Sequence, residues 1–200
     1  SDATMTSGAD YNTAVGASSM SALTSGTQNT AHGMNSLHRV TSGSYNTAIG
    51  VASLEDITTT SNNTAVGRQS GFYSVGANNT YIGYQSGLGS DGSGGDNSNT
   101  AVGYQSLTAI TTGDNNVALG NSAGSSLTSG GNSVMIGNNA GASIVDSWYH
   151  VLIGDHAGTL DLSEHGTTSV GYYSLSNLTS GLGNVALGFQ AGQFITSGAS

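Results

Sequence analysis

Side chains able to do chemistry are sparse in this chain, and they gather where a regular pattern breaks. Asp146-Ser147-Trp148-Tyr149-His150 carries the only tryptophan, and Asp161-Leu162-Ser163-Glu164-His165 follows soon after. Adjacent aromatics on a turn suit stacking on a sugar ring or anchoring a partner. The plainer reading of the same residues is a corner packed against a neighbouring chain. Trp148, Tyr149, His150, Asp161, Glu164 and His165 are therefore the candidate ligand-binding residues. A third break, Gly87 to Ser98, has the glycine and aspartate of a calcium loop. Asp91 and Asp96 are its only carboxylates, and it occurs once, so it reads better as a solvated loop than as a metal site. No cofactor is expected.

The remaining candidates weigh towards structure. Tyr84, Tyr104, Tyr172 and Phe189 recur at one phase, with Arg68 in line before Tyr84. Such a column stabilises stacked strands, and a glycan-binding strip is the alternative. His32 takes a position that is otherwise aliphatic, and a lone histidine there reads better as one tolerated in a core than as an ion ligand shared with its symmetry mates in an oligomer. His38, His150, His156 and His165 lack metal-ligand spacing. No Gly-x-Ser-x-Gly elbow stands between strand and helix, and no repeated acidic pair suggests acid/base work. An enzyme is not expected.

What must position these residues is a repeat. Asn12-Thr13-Ala14-Val15-Gly16 returns as Asn46 to Gly50, Asn63 to Gly67 and Asn99 to Gly103, with looser copies such as Asn184 to Gly188. The closing glycines are Gly16, Gly33, Gly50, Gly67, Gly83, Gly103, Gly120, Gly137, Gly154, Gly171 and Gly188, and their spacing is 17 except for 16 and then 20 around Gly83. A fixed period of this length predicts a solenoid. Counting from the closing glycine, position −1 is aliphatic, −2 mostly Ala and −3 Thr or Val. Alternation puts −1 and −3 on one face and −2 on the other. The aliphatic −1 column is the expected interior, with −2 facing something close, such as another chain. Position +7 (Leu23, Val40, Ile57, Ile110, Leu127, Ile144, Leu178, Ile195) is the expected second strand. Thr-Ser-Gly-x-Asn is the second corner. Asn at −4 is expected to stack into an amide ladder.

Each repeat thus reads as one coil of an all-β parallel β-solenoid, about eleven coils long and on the order of 50 Å in length. Blades of a propeller need roughly 40 residues, and Gly, Thr and Asn oppose helix. Residues 1–10 read as a partial repeat or an appended lead, and 11–200 as one repeat domain. Because the chain ends at Thr196-Ser197-Gly198, in the phase of Thr6-Ser7-Gly8, it reads as a piece of a longer fibre.

Composition narrows the partners. Charged residues are 6% of the chain against roughly 25% in ordinary domains, with net charge −9 and only Arg39 and Arg68 basic. That opposes nucleic acid and anionic membrane surfaces. Cysteine is absent, so hydrogen bonds and packing must hold the fold; proline is absent, as strand pairing prefers. A coil this small has a thin core and leaves a flank exposed, so oligomerisation is expected.

Asn99-Thr100-Ala101-Val102-Gly103-Tyr104-Gln105-Ser106-Leu107 resembles the repeats in the heads of trimeric autotransporter adhesins, and still more those of phage tail-fibre-like proteins that often precede an intramolecular chaperone domain. The resemblance covers roughly 11–198. It implies a left-handed parallel β-roll assembled as a parallel homotrimer, extracellular or surface-displayed, and attaching to a host or prey surface, with glycans as the expected ligand. An ice-binding solenoid and a glycan-degrading fibre are the alternatives. The adhesin repeat is somewhat shorter, and neither a chaperone segment nor a heptad stalk is present in these residues.

Overall fold

A computed structural model describes residues 9–91, 95–160 and 165–198. Each repeat contributes one three-residue strand: β1 (Thr13–Val15), β2 (Thr30–His32), β3 (Thr47–Ile49), β4 (Thr64–Val66), β5 (Thr80–Ile82), β6 (Thr100–Val102), β7 (Val117–Leu119), β8 (Val134–Ile136), β9 (Val151–Ile153), β10 (Thr168–Val170) and β11 (Val185–Leu187). They form one parallel sheet in sequence order, with like positions paired, as in Thr13↔Thr30 and Ala14↔Ala31. The register survives the two irregular spacings, since Thr64 pairs with Thr80 and Thr80 with Thr100. The extra residues are therefore absorbed in a corner. The architecture is the expected parallel β-solenoid.

Two details of the coil differ from expectation. The middle side chain of each strand points inward, and the aliphatic −1 column points out: Ala31, Ala48 and Ala101 are fully buried, whereas Val15 is 50% and Ile49 41% exposed. The +7 column is interior, with Leu23, Val40 and Ile57 fully buried. It lies in turn and irregular backbone, however, not in a second strand. A three-residue strand sends only one side chain inward, and the turns supply the rest of the core at +4 and +7.

The bore of the coil explains why the inward position is small. Ala31, Ala48 and Ala101 share their coils with Leu37, Leu54 and Leu107 at +4, all fully buried. Where the strand residue is large, +4 is glycine: Tyr81 goes with Gly87, Met135 with Gly141, Leu152 with Gly158. A Cβ on Gly87 would lie 2.4 Å from the Tyr81 ring, and one on Gly158 2.7 Å from Leu152. Interiors pack at crystal-like density, so one large side chain per level excludes the other.

The closing glycine is a separate requirement. At Gly67 φ is +134°, and a Cβ would stand 2.4 Å from the carbonyl oxygen of Gly83 in the next coil. The corner that follows uses left-handed backbone even without glycine, as at Ser18 and Met20 (φ 56° and 49°). Each such residue costs about 1–2 kcal/mol, offset by bonds to the next coil such as Met20 N–H to Ser36 O at 3.1 Å. At the other corner one carbonyl, that of Thr41, accepts from Thr24, Ser25 and Gly26 at 2.9, 3.0 and 3.2 Å.

The amide ladder is present as expected. Asn12 Oδ1 accepts both the backbone and side-chain N–H of Asn29, at 2.9 and 3.1 Å, and Asn29 Nδ2 also donates to Gly43 O at 2.8 Å. The same arrangement recurs at Asn46, Asn63 and Asn116. These side chains are buried, so the ladder both satisfies and fixes them.

Candidate functional site

The ladder changes character at Ser133, and this change positions the candidate corner. Asn116 Oδ1 accepts from Ser133 N–H at 3.2 Å, Ser133 Oγ from His150 N–H at 3.1 Å, and His150 Nδ1 from Thr167 N–H at 3.2 Å. His150 therefore fills an asparagine position and is 1% exposed. Accepting at Nδ1 leaves the proton on Nε2, which faces Ser147 Oγ at 2.8 Å. Burial pushes the imidazole pKa down to about 4. A ring that donates to the serine cannot take its proton, so this Ser–His pair is not an activated nucleophile. Of the candidate ligand-binding residues, His150 lies inside the coil.

Trp148, Tyr149 and His165 lie outside it and together. The −6 position carries a second acceptor ladder, which the repeat pattern did not disclose. Thr27 N–H donates to Ser44 Oγ, Ser44 N–H to Ser61 Oγ, and Asn97 N–H to Asp114 Oδ1. At this position Trp148 N–H donates to His165 Nδ1 at 3.0 Å. The two variant corners are thus adjacent, as the common phase of their departures predicts. Gly131 sits one coil before Trp148, and a Cβ on it would be 2.6 Å from the indole. The missing side chain gives the half-buried indole its bed. Tyr149 is 61% exposed, its ring 6.3 Å from that of Trp148 at 47°. Tyr11 and Tyr45 hold the same position and are exposed as well. Asp161 and Glu164 lie outside the described residues.

The two carboxylates of the inserted corner part company. Asp91 is exposed, whereas Asp96 is 1% exposed. Asp96 replaces a corner glycine and points into the coil. Its carboxylate accepts from Tyr81 OH at 2.5 Å, Ser74 Oγ at 2.9 Å and Gly76 N–H at 3.2 Å. Burial, working against those bonds, raises its pKa to about 6, and burial first, then Asp96, raises that of Tyr81. The oxygens of Asp96 are occupied by donors, and Asp91 does not join it. Among the described residues no group of three His, Cys, Asp or Glu is placed to hold a metal.

The +1 aromatics stack on one another: Tyr84 on Tyr104 at 5.4 Å and 16°, and Tyr172 on Phe189 at 5.3 Å and 11°, with the Arg68 guanidinium 5.7 Å from the Tyr84 ring. Their faces are spent on each other, which suits a structural column better than a sugar platform.

An uninterrupted feature is the outer face of the sheet. Its −3 column runs Thr13, Thr30, Thr47, Thr64, Thr80 and Thr100, then Val117, Val134 and Val151, Thr168 and Val185. Its −1 column is aliphatic apart from the exposed His32, which lies between Val15 and Ile49. No Asp, Glu, Lys or Arg stands on it. This uncharged strip, threonine and valine in one row and mostly aliphatic in the other, is about 50 Å by 10 Å, and exposed aliphatic surface gathered on that scale marks an interaction surface.

A scan against protein-family models finds no match, and searches of curated proteins and of solved structures find none either.

Proposed function

We propose that the chain is a rigid segment of a trimeric surface or tail fibre that attaches to a host or prey surface, with no catalysis of its own. The observation that carries this reading is the charge-free outer face of the sheet, with Val15, Ile49 and Ile82 at 50%, 41% and 39% exposure. Three copies related by a threefold axis would bury these faces on each other. The strip alone offers on the order of 500 Å², less than the roughly 800 Å² per partner of a standard interface. The adjoining +1 side chains must therefore join it, and Met34, Tyr104 and Phe189 are 51%, 50% and 72% exposed. The likeness of the repeat to adhesin heads and phage tail fibres supports the trimer, an extracellular setting and a left-handed winding.

Attachment is assigned to the corner formed by Trp148, Tyr149 and His165, where an indole, a phenol and an imidazole share the surface. The ligand class is glycan. The test is a glycan array probed with the intact oligomer and with Trp148→Ser. Binding that disappears in the variant supports the assignment; binding that persists unchanged removes it.

One observation favours a second reading. The six threonines from Thr13 to Thr100 face outward in register, in a row two residues from an aliphatic row. Such an array suits ice. Thermal hysteresis in dilute solution would select this reading, and its absence would leave the fibre.

A further inference from the structure

We infer that a depression on the turn side of the solenoid, remote in the coil from the Trp148 corner, is a binding site for a single neutral pyranose. The depression has a volume of about 260 Å³, and its lining includes His156, Leu160, Tyr173, Ser176, Asn177 and Gln193. These residues come from three successive coils, at positions +2, +5 and +6. The Trp148 corner sits at −6 and −5, beyond the other end of the strand. The outer face of the sheet is occupied by neither.

The walls are rigid. His156 and Tyr173 are stacked at 4.6 Å and 7°. His156 is held at both nitrogens, by Asp155 Oδ1 at 3.0 Å and by Asn139 Nδ2 at 3.3 Å. Tyr172 leans on Tyr173 at 4.6 Å and stacks on Phe189. The faces of His156 and Tyr173 are spent on each other, so it is their edges, with Leu160, that supply the apolar wall, and side chains already held in place limit the ordering cost of binding.

The polar groups are placed and unspent. Asn177 Nδ2 donates to Gln193 O at 2.7 Å, which fixes the amide. That leaves Asn177 Oδ1 and the side-chain amide of Gln193 without a protein partner among the described residues. An acceptor and an amide beside an apolar wall match the alternating hydroxyl and C–H character of a sugar ring. The chain's only Lys or Arg residues, Arg39 and Arg68, belong to other coils, and no Asp or Glu is among the described lining residues, so no basic side chain there compensates a carboxylate, sulfate or phosphate, and the class is a neutral hexose or N-acetylhexosamine. Pockets that take small ligands have this makeup, apolar walls with a few convergent polar groups.

This inference deepens the attachment reading, and the two fail separately. The probes are the methyl glycosides of glucose, galactose, mannose and N-acetylglucosamine at millimolar concentration, with methyl glucuronide as the charged comparison. The readout is saturation-transfer NMR on the unmodified chain and on Tyr173→Ser, Gln193→Ala and Trp148→Ser. Serine already occupies the Tyr173 position at Ser18 and Ser122, so the fold accepts it, and circular dichroism checks that. At least one neutral glycoside is expected to receive saturation. Its affinity should fall roughly five- to tenfold in Tyr173→Ser, fall in Gln193→Ala, and stay unchanged in Trp148→Ser. No transfer to any neutral glycoside, equal transfer in both site variants, or preference for the glucuronide would overturn the site. Surface attachment that survives Tyr173→Ser would leave the Trp148 reading standing on its own.

Discussion

The stretch from Asn29 to Asn116 and the stretch from Ser133 to Thr167 occupy the same column of the solenoid and solve it differently. In the first, each asparagine Oδ1 accepts the backbone N–H of the next asparagine, and at Asn29, Asn46, Asn63 and Asn116 the side-chain amide joins in as well. In the second, serine, histidine and threonine pass on the backbone bond alone, and Thr167 Oγ1 is buried without a partner among the described residues. The strand register does not change across the join, with Val117↔Val134 and Val134↔Val151 in step. Stacking is thus secured by backbone and by the closing glycines. The amide ladder adds to it without being indispensable, and the stretch where it lapses is the one that carries Trp148.

The largest effect comes from attacking what both stretches share. Gly67→Ala forces a Cβ to 2.4 Å from Gly83 O, whereas a Cβ on Gly188 meets nothing. Thermal unfolding should show Gly67→Ala losing more than about 4 kcal/mol, or failing to fold. Gly188→Ala should lose only the cost of a non-glycine residue at φ +125°, about 1–3 kcal/mol. Equal losses would mean that the glycine column is there for backbone freedom alone.

Acidity separates the two irregular regions. The folded-state pKa of Asp96 is raised to about 6. Its contribution is therefore full below the ordinary carboxylate value and is lost as pH rises through about 6. His150 is lowered to about 4, so its contribution is present above the ordinary imidazole value and is lost as pH falls through about 4. Each is worth on the order of 3 kcal/mol. Hydrogen exchange, corrected for its intrinsic rate, should show the Ser74–Tyr81 segment better protected at pH 4.5 than at pH 7.5, and Ser147–Val151 the reverse. Asp96→Asn should flatten the first response and leave the second. Protection that moves together in both segments would contradict these local assignments.

Within the ladder the comparison sharpens to single bonds. Asn46→Ala removes a buried acceptor and two donated bonds and should cost about 1–3 kcal/mol in urea denaturation. Ser133→Ala removes an acceptor that serves one backbone amide and should cost about 1 kcal/mol. A Ser133 effect as large as that of Asn46 would show that the second stretch is no looser than the first. Smallest of all, Trp148→Ser should change stability by under about 1 kcal/mol, because the indole is half-exposed and only rests over Gly131.

Much of this was legible in the residues. The Asn–Gly spacing gave the coil, the stacking register and the amide ladder, because each follows from identical side chains recurring one turn apart. The adjacency of Trp148 and His165 followed from the same phase. The direction of the strand faces did not. Alternation separates Ala48 from Ile49 but does not say which is inside, and burying the larger apolar side chain is the usual rule. Here the bore is so narrow that Leu54 already fills the level of Ala48, and Ile49 is left outside. The inward turn of Asp96 was hidden for a related reason: its partners Ser74 and Tyr81 belong to coils 22 and 15 residues away, and each looks unremarkable alone. The depression beside Tyr173 depends on three coils at once, and no single repeat announces it.

The proposed trimer needs the outer sheet face as the surface where copies meet. Light scattering on the purified chain at micromolar concentration measures this directly. It predicts three times the 19.8 kDa of one chain, and a single-chain mass with an unchanged β spectrum for Val102→Asp combined with Ile136→Asp. An unmodified chain that remains at 19.8 kDa, or a trimer indifferent to both aspartates, would contradict it.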